Sequence, residues 1–240
     1  HAGMIATGVA AFVLVLVVQF PARWAALALP RGVACGQVAG TLWSGTCAGL
    51  AAAGMPLGDL GWSLHPLRLL TGRLDLDVAL TRGAGAARAR VELSPTGAIA
   101  ARGIHADFPL DHAFIPQLPP STRGSAAVEL SSLDWNGKRI TEIHGQIEVQ
   151  GLTIGGGELL GSYRLLFPGS PGSELVGHLS DLGGPFAVAG TVRLTAEPGY
   201  EVDSLIAARP SASPDLLSQL RYLGAPDAQG RRQFSIAGTF

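Results

Sequence analysis

The sequence has few charged side chains and almost no net charge. Charged residues make up 15% of its 240 residues, and 17 basic residues balance 18 acidic ones to a formal net charge of −1. Domains that bind nucleic acid normally carry a clustered excess of Lys and Arg. Both signs are spread along this chain, so we expect no nucleic acid among its partners.

Cysteine is also scarce, with only Cys35 and Cys47 in the chain. A structural zinc site usually needs four Cys or His ligands, and no histidine lies near this pair at ligand spacing, so zinc is not expected. A disulfide between them requires an oxidising compartment and Cα atoms about 4.4–6.8 Å apart. The sequence alone leaves both the bridged and the free state open.

The motifs of common catalytic and cofactor-binding sites are missing. There is no P-loop, no G-x-G-x-x-G before a helix and no G-x-S-x-G nucleophile elbow. The glycines at positions 155–157 precede Glu158 and two leucines, which is typical of a turn rather than of a phosphate cradle. We therefore expect a protein that is not an enzyme and binds no cofactor and no metal.

One segment does contain several potential metal ligands close together. His105, Asp107, Asp111 and His112 form this group, and Pro109 within it favours a loop. A metal site or a hydrolase centre would require these side chains to converge on one point. We keep a hydrolase as an alternative hypothesis that depends on that convergence.

A long uncharged stretch lies at the N-terminal end of the sequence. No ionised side chain occurs from residue 2 to residue 22, and a helix of that length extends about 31 Å, enough to cross a hydrocarbon layer about 30 Å thick. We predict a transmembrane anchor at residues 1–22 and a juxtamembrane connector at 23–32. The alternatives are a buried core helix and a cleaved signal peptide, for which residues 26–28 would serve as the cleavage site.

The remaining residues, 33–240, show an alternation that is typical of β-strands. In the segment 72–80 apolar residues occupy every second position, while Arg73, Asp75 and Asp77 share the opposite face. We interpret these two aspartates as exposed polar residues and not as a catalytic pair. The same alternation recurs at 89–93, 126–130, 146–150, 163–167, 186–189, 191–195, 200–203 and 233–236, with turn residues in the gaps.

Two short helices interrupt the strands. The first begins at Pro66 and ends before Gly72. The second has Ser213 as N-cap and Gly224 after its last turn. Its stripe of leucines (216, 217, 220 and 223) is expected to pack on the sheet. Short gaps between strands imply antiparallel pairing. The predicted fold is mainly β: after the transmembrane helix, a curved antiparallel sheet or a partly open β-sandwich with two short helices.

Several sequence elements occur in an order that resembles a known family. They are the segment 20–24 at the end of the apolar stretch, GTLWSG at 40–45, which we expect to be a strand, a tryptophan-containing strand at 60–67 that enters a short helix, and the C-terminal segment from 216 to the last strand. In this order, over essentially the whole chain, they resemble the protein N family of the bacterial type II secretion system. The residues that carry the N-terminal part of the likeness are Trp24, Gly40, Thr41, Leu42, Trp43, Gly45, Trp62, Pro66 and Gly72.

Simple physical roles account for most of these residues. Trp43 and Trp62 are expected to fill the apolar face of the sheet, whereas Trp24 follows the apolar stretch and fits the aromatic belt of a membrane interface. Gly40 and Gly45 are expected to allow a bulge or a close approach of two backbones.

The resemblance implies a single-pass protein of the bacterial inner membrane, with residues 2–22 in the lipid bilayer, its C-terminal body in the periplasm and no catalytic residues. Its partners would be other type II secretion components, on the inner-membrane platform or on the side of the outer-membrane secretin. Arg23 and Arg31 favour the opposite orientation by charge alone, so the periplasmic placement rests on the resemblance. The alternative function is an AsmA-like lipid-binding or lipid-transfer protein, which an apolar groove would support.

Overall fold

The computed structural model describes residues 19–26, 32–52, 55–69, 72–116, 118–155, 157–169, 174–195 and 199–239. Most of these residues lie in β-strands, which confirms the prediction of a mainly β fold. The chain divides into two compact units, residues 1–95 and residues 96–240.

The described residues of unit 1 contain five antiparallel strands in chain order. Each strand pairs with the next one along the sequence, as the short gaps predicted. The strands are β1 (Val33–Gly40), β2 (Ser44–Ala52), β3 (Met55–Leu64), β4 (Leu74–Arg82) and β5 (Gly85–Leu93), and the helices are α1 (Ala22–Ala26) and α2 (Pro66–Leu69).

Eight strands lie in the part of unit 2 that the structure describes, with the same nearest-neighbour antiparallel pairing. The strands are β6 (Ile99–Pro109), β7 (Arg123–Trp135), β8 (Ile140–Ile154), β9 (Glu158–Phe167), β10 (Leu175–Gly183), β11 (Phe186–Leu194), β12 (Gly199–Ala208) and β13 (Arg232–Thr239). Between the last two strands lie helix α3 (Pro214–Leu220) and a 3-10 turn, Arg221–Leu223.

Helix α3 follows its predicted signals at both ends. Ser213 is the N-cap, and its hydroxyl oxygen accepts a hydrogen bond from the backbone N–H of Leu216 at 3.2 Å. The last turn tightens into the 3-10 turn, which ends at Gly224. Leu216 and Leu220 are buried, as the leucine stripe predicted. Leu217 is 44% exposed, so its expected packing on the sheet is wrong: in a helix of seven residues it lies beside the buried stripe and not on it.

The core of unit 2 is thin. Its buried side chains form two apolar clusters, and within the described ranges no large side chain is completely enclosed. The first cluster contains Phe186, Val188, Leu216 and Leu220, and the second contains Leu130, Ile143 and Phe167. Helix α3 therefore covers one part of the sheet and builds the first cluster with it.

The predicted transmembrane anchor falls largely on residues 1–18, which lie outside the described part of the chain. Where the description begins, Pro21 forms a β-bridge with Thr41 and helix α1 starts at Ala22. Among the helices that the structure describes, none has the length and apolar character needed to span a bilayer.

Two local predictions are wrong. The segment 40–45 was expected to be a strand, but its centre is the turn between β1 and β2, because Thr41 pairs with Ser44 across it. The segment 105–112 was expected to be a loop; this is wrong for residues 105–109, because β6 continues through Pro109, and right for residues 110–112. That proline is the last residue of the strand, a position where its missing N–H costs little.

Candidate functional site

The turn between β1 and β2 explains the GTLWSG sequence as structure. The N–H of Thr41 donates to the carbonyl oxygen of Ser44 at 2.8 Å, and the Thr41 hydroxyl accepts from the N–H of Ser44 at 3.2 Å. Gly40 has a φ of +92° there, and a Cβ at this position would lie 2.5 Å from the Ser44 carbonyl oxygen. Only glycine fits, because a side chain would be strained and would meet backbone.

Trp62 of β3 packs against the other glycine of this sequence. A Cβ on Gly45 would lie 2.5 Å from Cζ2 of Trp62 and 2.6 Å from the carbonyl oxygen of Ala39. The indole Nε1–H of Trp62 donates to the carbonyl oxygen of Leu42 at 3.2 Å. The tryptophan therefore closes the turn from the next strand, and these residues form a structural corner of unit 1.

The other residues singled out in the sequence have separate positions. The backbone carbonyl of Trp43 accepts from the N–H of Leu64 at 2.6 Å, which fastens the turn to the end of β3. Pro66 is the first residue of α2, and Gly72, with a φ of +73°, lies between that helix and β4. Trp24 is 56% exposed on α1.

The two cysteines form a disulfide within unit 1. Cys35 and Cys47 lie on the adjacent strands β1 and β2, with Cα atoms 5.8 Å apart. They are not directly opposite, since Cys47 faces Val38 in the register. The bridge therefore spans the pair of strands diagonally, close to the corner made by Gly45 and Trp62.

A charged cluster forms where α2 follows β3. The carboxylate of Asp75 is buried, with its side chain 5% exposed, and lies 3.6 Å from Nε of Arg90 and 3.8 Å from Nε of Arg68. His65 approaches both carboxylates, at 3.8 Å from Asp75 and 3.3 Å from Asp77. The expectation that Asp75 is exposed is therefore wrong, because His65 and α2 fold over that face of β4.

The electrostatics of this cluster are those of an ion-pair network. The hydrogen bond from Arg90 to Asp77, together with the charges of Asp77 and Asp75, raises the pKa of Arg90 above its ordinary value. Nδ1 of His65 and Oδ1 of Asp75 are buried and make no hydrogen bond to a described group. Two arginines beside two aspartates balance the charge locally, so the cluster holds α2 to the sheet.

The segment 105–112 does not assemble a hydrolase centre. His105 and Asp107 lie on β6, while Asp111 caps the following turn by accepting from the N–H of Phe114 at 2.7 Å. The ring of His112 contacts the carbonyl oxygen of Leu118 at 2.7 Å. Within the described ranges no three His, Cys, Asp or Glu side chains are placed to hold a metal ion.

An apolar cleft lies between helix α3 and the sheet of unit 2. Its volume is about 560 Å³, and its walls come from strands β8 to β13 on one side and from α3 with the following 3-10 turn on the other. We refer to it as the α3 cleft. The sequence signal for it was the leucine stripe of α3 facing alternating strands, but the gap between helix and sheet could not be read from that pattern.

An ion pair supports the rim of the α3 cleft. Arg209 pairs with Asp181 at 2.6 Å and also donates to the carbonyl oxygens of Gly184 and Phe186. Although burial raises the pKa of Asp181, hydrogen bonds from the Val188 N–H and from Arg209 outweigh it and lower that pKa below its usual value.

Comparison with known proteins assigns the family. A sequence model of the family described as type II secretion system (T2SS), protein N, matches residues 31–235. The chain belongs to this family. The resemblance seen in the sequence is thereby confirmed, and membership links the protein to type II secretion.

A curated relative is similar over part of the chain. The type II secretion system protein N of Vibrio cholerae serotype O1 (strain ATCC 39315 / El Tor Inaba N16961) is 44% identical over 70 residues, which cover 28% of this chain and 28% of the relative. The matched stretch thus spans less than a third of the relative's length. No solved structure matches the chain.

Proposed function

We propose that this protein is a non-catalytic component of the type II secretion apparatus that acts through protein–protein contacts in the periplasm. The observation that carries the proposal is the family match, which extends over residues 31–235. The apolar stretch at residues 2–22 would anchor it in the inner membrane as a single-pass protein. The Cys35–Cys47 disulfide supports a periplasmic body, because such bonds persist in oxidising compartments.

The last strand of unit 2 offers a docking surface for a secretion partner. Among the strands that the structure describes, β13 is terminal in the strand order and its one neighbour is β12. An edge strand presents unpaired backbone N–H and C=O groups, to which a strand from another protein can add. Gln233, Ser235 and Ala237 are exposed along it, and Ile236 is 46% exposed. These contacts would be made with components on the inner-membrane platform or the secretin side.

Proline substitutions can test this edge. Of two successive residues in an edge strand, one N–H points to the neighbouring strand and the other points away. We propose Ser235→Pro and Ile236→Pro as separate variants, each introduced into a strain that lacks the chromosomal gene. The variant that keeps the wild-type melting temperature identifies the outward N–H, since proline there removes only a donor to an external partner.

The readout is the location of folded exoproteins. The deletion strain should accumulate them in the periplasm, wild-type protein should restore export, and the stable proline variant should fail to do so. If that stable variant restores export, β13 is not the docking edge. Normal export in the deletion strain itself would overturn the secretion role.

One specific observation, the α3 cleft, supports the alternative function of lipid binding or transfer. An apolar cavity is the feature that this alternative requires, whereas contact through an edge strand does not need it. The cleft therefore bears on lipid binding and not on the proposed secretion role.

A further inference from the structure

The interior of the α3 cleft is suited to hydrocarbon. Its walls are mainly leucine, isoleucine, valine and phenylalanine side chains, among them Leu160, Val202, Ile206 and Phe234. Its volume of about 560 Å³ lies within the range of roughly 300–1,000 Å³ found for small-molecule sites. A polar ligand would lose most of its hydration in such a site and meet few hydrogen-bonding side chains, namely Tyr163, Ser204 and Gln219.

The hydroxyl groups on the cleft wall already donate to the protein's own backbone. The Tyr163 hydroxyl donates to the carbonyl oxygen of Leu160 at 2.6 Å, and the Ser204 hydroxyl donates to that of Phe234 at 3.3 Å. Burial raises the pKa of Tyr163, which keeps its hydroxyl neutral. These two groups therefore add no charge to the interior.

A cation lies at one end of the apolar wall. Arg232 is opposite Ile206 in the register of β12 and β13, and Phe234 follows two residues later on the same face. Because Ile206 and Phe234 both line the cleft, Arg232 projects from the same face at the end of that row. Among the residues that the structure describes, no acidic side chain forms an ion pair with Arg232.

We propose that the α3 cleft binds one acyl chain of an anionic lipid, with the chain against the apolar wall and the head group at Arg232. Hydrocarbon walls combined with a cation at the end match an amphiphile with a negative head group. An apolar protein segment would use the same walls but would not need the arginine. This binding is additional to the proposed secretion role and does not depend on it.

The test measures binding of fatty acids to the full-length protein. A polyene fatty acid that fluoresces in apolar surroundings serves as the probe, and saturated fatty acids of 8, 12 and 16 carbons displace it below their micelle concentrations. Burial of each added methylene should strengthen binding by up to about fourfold until the cleft is full. A saturable site whose affinity rises with chain length is expected, and failure to saturate would overturn the proposal.

Two pairs of variants locate the site. Val202→Trp should fill the cleft and weaken binding by about tenfold or more, whereas Ala189→Trp, at an exposed position on the opposite face of the neighbouring β11, should bind like wild type. If Val202→Trp lowers the melting temperature, Gln219→Trp on the helical wall is compared with Ser218→Trp beside it. Equal affinity in the cleft-filling and control variants would overturn the proposal.

The head-group contact has its own test. Arg232→Glu should weaken binding of a 16-carbon fatty acid by about tenfold and leave that of the uncharged 16-carbon alcohol unchanged. Arg88→Glu on the exposed surface of unit 1 makes the same change in net charge and should alter neither. No loss for Arg232→Glu would contradict the proposed orientation. If wild type binds no fatty acid and Val202→Trp nevertheless impairs secretion, the proposal of lipid binding is overturned. That result would favour a protein segment as the occupant of the cleft.

Discussion

The indole ring of Trp62 occupies the space that a side chain at Gly45 would need, with Cζ2 only 2.5 Å from the position of a Cβ. We expect Gly45→Ala to destabilise unit 1 by about 1–3 kcal/mol, because the ring must move against the β1–β2 turn. Gly61→Ala is the matched control on β3, where the nearest atom is 3.9 Å away. Urea unfolding of both variants measures the difference, and equal stability would contradict the close packing.

The disulfide between Cys35 and Cys47 should stabilise the chain measurably. The cysteines are 12 residues apart, and bridging a loop of that size contributes about 3 kcal/mol in the chain-entropy account. A Cys35→Ser, Cys47→Ser double variant should therefore unfold at lower denaturant concentration than wild type. Reductant should lower the wild-type midpoint to that of the variant and leave the variant unchanged. A wild-type midpoint that does not respond to reductant would contradict the expected contribution.

The N-cap of α3 should control the order of that helix. Ser213→Ala removes the bond to the Leu216 N–H and the contact with Glu158, at a cost of about 1 kcal/mol. Ser218→Ala, which removes only a bond to the Asp215 carbonyl on the exposed side, should have little effect. Amide hydrogen exchange should quicken in residues 215–223 of the first variant alone. If the amide protons of α3 exchange equally slowly in both variants, Ser213 does not control the order of the helix.

The ion pair of Asp181 and Arg209 predicts a dependence of stability on pH. The pKa of Asp181 is lower in the folded protein than its ordinary value, so the pair stabilises the fold above about pH 4 and this contribution is lost as the pH falls through the folded pKa. Asp181→Asn should cost about 1–2 kcal/mol at pH 7, a modest figure because the Arg209 side chain is 37% exposed.

Melting temperatures from pH 7 to pH 2.5 measure this effect. The difference between wild type and Asp181→Asn should shrink as the solution becomes more acidic than about pH 4. Asp107→Asn, at an exposed position on β6, provides the control and should follow wild type at every pH. A constant difference between Asp181→Asn and wild type would show that charge is not the cause.

Much of the fold was readable because strand alternation is a local property. The segments at 146–150 and 200–203 predicted the positions of β8 and β12 within a few residues of their centres. The two segments at 186–189 and 191–195 form the single strand β11, since Gly190 between them continues the ladder opposite Ser204. A glycine within a strand interrupts the alternation of side chains in the same way as a turn between two strands does. The sequence therefore predicted two strands where the hydrogen-bond pairing shows one.

The candidate sites depended on contacts that alternation cannot reveal. Asp75 was expected to be exposed by its strand position, but the short helix α2 and His65 cover it. The α3 cleft depends on the distance between a helix and a sheet that are separate in sequence. At the two glycines of GTLWSG, which were expected to allow a bulge or a close approach of two backbones, a Cβ would lie 2.5 Å from the Ser44 carbonyl oxygen at Gly40 and 2.6 Å from that of Ala39 at Gly45.

The nearest-neighbour pairing within each unit has a consequence for how the chain reaches its native state. Each new strand can join the sheet as soon as it leaves a ribosome or a membrane channel, because its partner is the segment that emerged just before it. No early segment has to remain exposed while a distant one is made, which limits the time available for aggregation. Among the described strands β13 is the latest in this series, and a strand supplied by another protein would pair with it in the way that each strand pairs with the one before it.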